Sequence, residues 1–514
     1  MGSGGKQWLT RRLAVLVGGL ALACAPGVEG SGQEESSTTE AATRAASAPT
    51  LLWDEDARPL EAASAFRDRC PGPEAARGAT LHVANTGPRD ADEPLGSRAN
   101  PFTTIMAAVK EARPGNVIQV HAGLYPEQVA ITPLKARAGT ASAPIVLRGE
   151  RASRPIIVPS STDVGSLVML SQPYWVVELV EVDVSERPSF AALFENDTTC
   201  TQLSDSVLHG GRAGGGVVVS DASRLLISGN KVHDFSRWGQ DSHAVVVKGT
   251  SREVFIVGND LHDASGDAIQ CQPNEGRPSA LFIEGNQMHD CGENGIDVKA
   301  CDDLAIQGNV LFRFPNLERF PWQATTSAAE AVLVHEDATN IRIIGNAIFQ
   351  AGRGISVGGL SPVDNPVDVL VKGNVVTDIF NFANRANGQG IRIARARRVR
   401  VLDNIIERTE DSGLRLAADE PLVVTDLQVY GNTLRDMTSF VKLGRDTSRP
   451  GLRMDHNRYE GMDGKFSAFG LLSIGNFTTW KSRLAPFDLE QGSLRITAEP
   501  EPDNGELPPM LEEE

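Results

Sequence analysis

The segment Glu293-Asn294-Gly295-Ile296-Asp297-Val298-Lys299 sets three oxygen-bearing side chains and a lysine within seven residues, and Gly266-Asp267-Ala268-Ile269 precedes it by one repeat. Glu293 and Asn294 close a turn that feeds a strand, Asp297 faces out from that strand, and Asp267 holds the corresponding turn end. Four oxygen donors at one edge suit a hard cation such as calcium, which takes six to eight oxygens and draws the rest from backbone and water. Aligning the other repeats on the same position gives an outward column of Val246, Gln270, Asp297, Leu333, Ser356, Arg392, Arg415 and Lys442. A second outward column reads Lys248, Gln272, Lys299, His335 and Gly358. The face is thus polar at its middle and cationic toward its carboxyl end. Gln270, Gln272, Arg392, Arg415 and Lys442 are candidates for holding a substrate. Cations stacked on adjacent strands repel one another, and a polyanion lying along the groove would relieve that repulsion. At ~4.8 Å per strand, Asp297 and Arg392 stand about 14 Å apart, the length of a few sugar units.

These columns depend on a repeat that the sequence displays openly. An asparagine, usually behind glycine, returns at Asn230, Asn259, Asn286, Asn309, Asn346, Asn374, Asn404, Asn432 and Asn457. Each repeat carries short apolar stretches of period two, too short for helices, which predicts strands. About three strands per ~28-residue repeat predict an all-β, right-handed parallel β-helix, a solenoid in which each coil buries its inner face on its neighbours. An Asn at one fixed bend can hydrogen-bond to its counterparts above and below. The pairs His233-Asp234, His262-Asp263 and His289-Asp290 recur at one turn and read as a polar ladder that caps backbone groups. Pro101 to Ala112 predicts a short amphipathic helix closing the amino-terminal end, and Thr478 to Leu484 a helix closing the other. The longest step, from Asn309 to Asn346, implies an insertion that walls one side of the groove.

The 514 residues carry a net charge of -17, which argues against nucleic acid as a partner. Fifty glycines and 5% aromatic residues suit repeated tight turns. Lys6, Arg11 and Arg12 precede the apolar run Leu13 to Ala23, which ends in the small-residue site Ala21-Leu22-Ala23. This predicts a signal peptide over 1–23 and a location outside the cytoplasm. Cys24 resembles the acceptor of a bacterial lipobox, which would give a lipid-anchored surface or periplasmic protein; ordinary cleavage is the alternative, and Arg11-Arg12 leaves twin-arginine export open. A flexible tether is expected over 24–75, one β-helix domain over 76–496 and an acidic disordered tail over 497–514. Six cysteines are too few for a disulfide framework at this length, although Cys271, Cys291 and Cys301 lie close enough for one pair.

The stretch Pro114-Gly115-Asn116-Val117-Ile118-Gln119-Val120 with Ala122-Gly123-Leu124-Tyr125 resembles secreted right-handed β-helix proteins of the pectate lyase superfamily. The acidic cluster is similar to polysaccharide lyase family nine, the calcium-dependent pectate lyases. By that resemblance Asp267, Glu293, Asn294 and Asp297 would hold calcium, with Asn and Glu at two positions where the family carries Asp. The resemblance further implies β-elimination from an acidic, uronate-containing polysaccharide. A metal or Arg stabilises the charge on the uronate carboxylate while a base removes the C5 proton. Lys299, His335 and Lys248 are the candidate bases, the family using a lysine and His335 being competent near neutral pH. Two other functions stay open: a glycoside hydrolase using Asp267 and Asp297 as its carboxylate pair, and a non-catalytic glycan-binding or envelope β-helix. The expected state is a monomer.

Overall fold

The computed structural model describes residues 62–497, except 161–163, 360, 362, 462–463 and 469–472. The signal peptide at 1–23, the lipidation site at Cys24, most of the tether and the tail beyond residue 497 lie outside the described residues. One repeat runs through the strands His243–Lys248, Arg252–Val257 and Asp260–His262 before the next begins at Ile269–Gln272. Stacking these triplets gives three parallel sheets of 14, 13 and 14 strands, a solenoid of about 12 turns. The inward residues of that coil, Val245, Val247, Val254, Ile256 and Leu261, are fully buried. Each such side chain contributes roughly 1.5–3 kcal/mol relative to an exposed one.

All nine ladder asparagines are buried and form a single hydrogen-bonded column. Asn259 shows the pattern: its Oδ1 accepts from Asn230 N at 3.0 Å, and its Nδ2 donates to Ile227 O and to Asn286 Oδ1, both at 2.9 Å. The residue ahead of each Asn is left-handed, with φ of 64° at Gly258 and 55° at Asp403. That bend explains why glycine usually stands there and why a short Asp can substitute. The column ends on the buried Glu490, whose Oε1 accepts from Asn457 Nδ2 at 3.0 Å and whose Oε2 accepts from Tyr459 Oη at 2.8 Å.

Burial pushes the Glu490 carboxyl up from 4.5 to about 7, against the hydrogen bonds from Tyr459 and Asn457. A raised folded-state value means that the stabilising contribution is complete below the unfolded value and is lost as pH climbs toward the folded one. Between about pH 4.5 and 7 the carboxyl-terminal cap is therefore expected to weaken, by on the order of 3 kcal/mol at most. Hydrogen exchange of the last coils at pH 5 and pH 8 measures this, and Glu490→Gln should remove the pH dependence.

Both expected caps are present. Helix Ile105–Glu111 buries Ile105, Ala108 and Val109, and its Thr104 cap accepts from Ala107 N. Helix Phe477–Leu484 buries Trp480, whose ring stacks on Phe466 at 5.0 Å. The tether boundary at residue 75 needs correction. Helix Ala62–Arg67 packs on the second strand layer, with Phe66 edge-on to Phe255 at 5.4 Å, and a Cys70–Cys200 disulfide pins it there. These residues carry no repeat and form one six-residue helix, so neither periodicity nor spacing announces them. The pair among the central cysteines is Cys271–Cys301, leaving Cys291 buried and unbridged. No helix among the described residues is long and apolar enough to cross a membrane.

Candidate active site

The 13-stranded sheet carries the groove face. Its register pairs Val246, Gln270, Asp297, Leu333, Ser356, Arg392, Arg415 and Lys442 in one column across eight consecutive strands. Lys299 pairs with His335 in the next column, and Lys248 pairs with Gln272. Lys248 thus lies two coils from Lys299, about 10 Å away and outside the acidic cluster.

Two of the four expected oxygen donors are committed elsewhere. Asp267 is fully buried at the corner before its strand, and its Oδ1 accepts from Asn294 N at 3.1 Å and Asn294 Nδ2 at 3.0 Å. Its Oδ2 accepts from Gln270 Nε2 at 3.0 Å. Asn294 Oδ1 in turn accepts from Glu330 N at 2.9 Å. Asp267 and Asn294 therefore belong to a polar ladder linking coils, as the Asn column does at another corner. Asp297 is engaged by two basic side chains, Lys299 Nζ at 3.1 Å and His335 Nε2 at 2.9 Å. Among the described residues no hydrogen bond or ion pair engages the Glu293 carboxyl. This donor set does not fit calcium: only one of the four side chains presents free oxygens.

The electrostatics separate the two remaining carboxyls. Burial, then the charges of Asp267, Asp241 and Asp297, push Glu293 well above the usual carboxyl range. Burial also penalises ionised Asp297, but the His335 hydrogen bond and the Lys299 charge outweigh it and hold Asp297 below its ordinary value. The reciprocal effect bears on the candidate bases. Burial alone would lower Lys299 and His335, yet Asp297 raises both, which favours the protonated form of each. His335 also has Nδ1 3.6 Å from Asp364 Oδ1, which places it between two carboxylates.

The cationic column is neutralised from within. Arg392 Nε lies 3.1 Å from Asp419 Oδ2, Arg415 reaches Asp419 Oδ1 at 2.8 Å, and Lys442 pairs with Asp411. Its stacking therefore needs no bound polyanion. Sequence reading missed these acids because they sit in turns, where no period marks them. It also missed Glu330 and Arg353, paired at 2.6 Å, although the same alignment read three residues upstream would have found their column.

The long step between Asn309 and Asn346 does build a wall. The segment from Pro315 to Ala329 folds back over the corner, where Gln323 Nε2 donates to Asp241 Oδ1 at 3.0 Å and to Ser265 O at 2.7 Å. Ser327 Oγ donates to Glu293 O at 3.3 Å. At the rim Trp322 meets Trp238 with ring centroids 4.6 Å apart, and Trp238 is 80% exposed.

Residues 190–377 match the family described as "Right handed beta helix region". No curated protein is similar to the chain. Among solved structures it is similar to the pectate lyase Pel9A, at 14% identity over 76% of each chain with a TM-score of 0.34. A rhamnogalacturonan lyase is 14% identical over 64% of this chain and 87% of its own, with a TM-score of 0.45. The GH136 lacto-N-biosidase from Eubacterium ramulus is 12% identical over 82% and 68%, with a TM-score of 0.38. Its own three parallel sheets, with the family match over residues 190–377, make the chain a right-handed parallel β-helix.

Proposed function

We propose that the groove face cleaves glycosidic bonds of a polysaccharide by hydrolysis, with Glu293 as proton donor and Asp297 as partner carboxylate. The observation that carries this reading is a Glu293 carboxyl that no hydrogen bond or ion pair among the described residues engages, four residues from an Asp297 carboxylate held by Lys299 and His335. Glu293 is thereby favoured as the acid and Asp297 as the ionised partner. Two carboxyl groups with separated proton affinities are what glycoside hydrolysis requires, one to protonate the leaving oxygen and one to act at the anomeric side. Lys299 and His335 take a new role, keeping Asp297 charged. The leader at 1–23 would export such an enzyme to meet its polymer.

Trp238 and Trp322 offer an apolar platform for a sugar ring at the rim. Trp238→Ala is expected to raise KM about tenfold with kcat nearly unchanged, the loss of roughly 1.4 kcal/mol of ring contact. Steady-state kinetics on oligosaccharides of increasing length check it.

One observation favours β-elimination instead. Lys299 and His335 form an adjacent basic pair in register, suited to neutralising a uronate carboxylate. The two chemistries differ in product. Incubation with pectate, alginate, glycosaminoglycans and neutral glycans, with calcium or with chelator, is expected to release reducing ends without absorbance near 235 nm and without need of calcium. Reducing ends with that absorbance would establish elimination. Binding without either product would leave a glycan-binding β-helix.

A further inference from the structure

The histidines of the third sheet form a stack on a different sheet from the groove face. His209, His233, His262 and His289 align in register, with centroids 5.2, 5.0 and 4.8 Å apart. The neighbouring aspartates Asp234, Asp263 and Asp290, which the sequence suggests as backbone caps, all face the ring Nδ1 of their histidines instead. Nδ1 of His262 lies 2.6 Å from Asp263 Oδ2, and Nδ1 of His289 lies 2.6 Å from Asp290 Oδ2. Arg319 and Arg313 pair with those aspartates and keep them ionised. An ionised carboxylate only accepts, so it draws the imidazole proton to Nδ1 and leaves Nε2 as a lone pair. The group facing both lone pairs is Asp260, another acceptor: Oδ1 is 3.1 Å from His289 Nε2, and Oδ2 is 3.9 Å from His262 Nε2. His262 Nε2 is buried with no hydrogen-bond partner.

Two lone pairs and a carboxylate confronting one another repel unless a cation lies between them. A proton on His289 relieves half of this and leaves His262 unsatisfied. We propose that His262 Nε2, His289 Nε2 and the Asp260 carboxylate bind a divalent transition-metal ion of the zinc class. These donor atoms all lie within 4.8 Å of one another. Metal–nitrogen bonds of ~2.1 Å require the stacked rings to tilt their Nε2 edges together by roughly 1 Å. Nitrogen donors select against calcium, and the Nδ1–carboxylate bonds are the outer contacts that orient metal-binding imidazoles. Lys231 Nζ, 3.8 Å from Asp260 Oδ2, is the cation that a metal would displace. The site is half-buried on the outer face, so it adds a metal-linked brace across two coils.

The test uses the untagged full-length protein, stripped by chelator and equilibrated with zinc alone at pH 7.5. One zinc per chain after gel filtration is expected, with proton release in calorimetry and a raised Tm. The His262→Asn/His289→Asn double variant should lose the zinc, whereas Glu293→Gln should keep it. Asp260→Asn, which leaves the ring stack in place, should bind at least tenfold more weakly and serves if the double variant fails to fold. No zinc retained by the wild type, or the same zinc affinity in Asp260→Asn, would overturn the proposal.

Discussion

Glu293→Gln is expected to slow turnover of an unactivated glycan by about 10²- to 10⁴-fold, the range of a single general acid. The same variant should retain much of its rate on an aryl glycoside, whose leaving group departs without a proton. Asp297→Asn should fail on both substrates, because it removes the charge that acts on the sugar itself. The pH profile follows from the same pair. Activity requires Asp297 ionised, so it falls as pH drops through the lowered Asp297 value. It also requires Glu293 protonated, so it falls as pH rises through the raised Glu293 value. Lys299→Met should move the acid limb upward, since Asp297 then loses a positive charge 3.1 Å away. Equal losses for Glu293→Gln on both substrates would count against its role as proton donor.

The second large effect is structural. Asn309 sits in mid-column, fully buried. Its Oδ1 accepts from Asn286 N and Nδ2 at 2.9 and 3.0 Å, and its Nδ2 donates to Ile283 O and Asn346 Oδ1 at 2.9 and 3.0 Å. Asn309→Ala strands several of these groups without water. At about 1–3 kcal/mol for each buried group left unsatisfied, a loss on the order of 4 kcal/mol is expected. Because coils contact only their neighbours, the defect should also split denaturant unfolding into two steps, one on either side of the substitution. A single transition within 1 kcal/mol of wild type would show that the column contributes little.

How far the sequence disclosed this molecule depended on what repeats. The Asn column and the outward face from Val246 to Lys442 recur at one position in every coil, and the register places them as the alignment does. Asp267 and Asn294 read as turn-end oxygens available to a cation because no strand period shows that their corner turns them toward one another. Arg392, Arg415 and Lys442 looked unneutralised because Asp411 and Asp419 come from turns of variable length. Helix Ala62–Arg67 has no repeat at all, and only the Cys70–Cys200 bridge and the packing of Phe66 hold it to the coils. The divergence of Glu293 from Asp297 was equally hidden. It arises from the burial of Glu293 beside the charges of Asp267 and Asp241, which the fold brings to the site, and from the His335 hydrogen bond and Lys299 charge on Asp297.

That divergence is the centre of the account and can be measured without a substrate. Carboxyl-carbon NMR of selectively labelled protein, with each signal assigned by its loss in Glu293→Gln or Asp297→Asn, follows both groups through a pH titration. The expected result is a Glu293 midpoint clearly above 4.5 and an Asp297 midpoint below 3.8. Glu293 titrating at or below 4.5, or Asp297 above it, would contradict the assignment of acid and carboxylate.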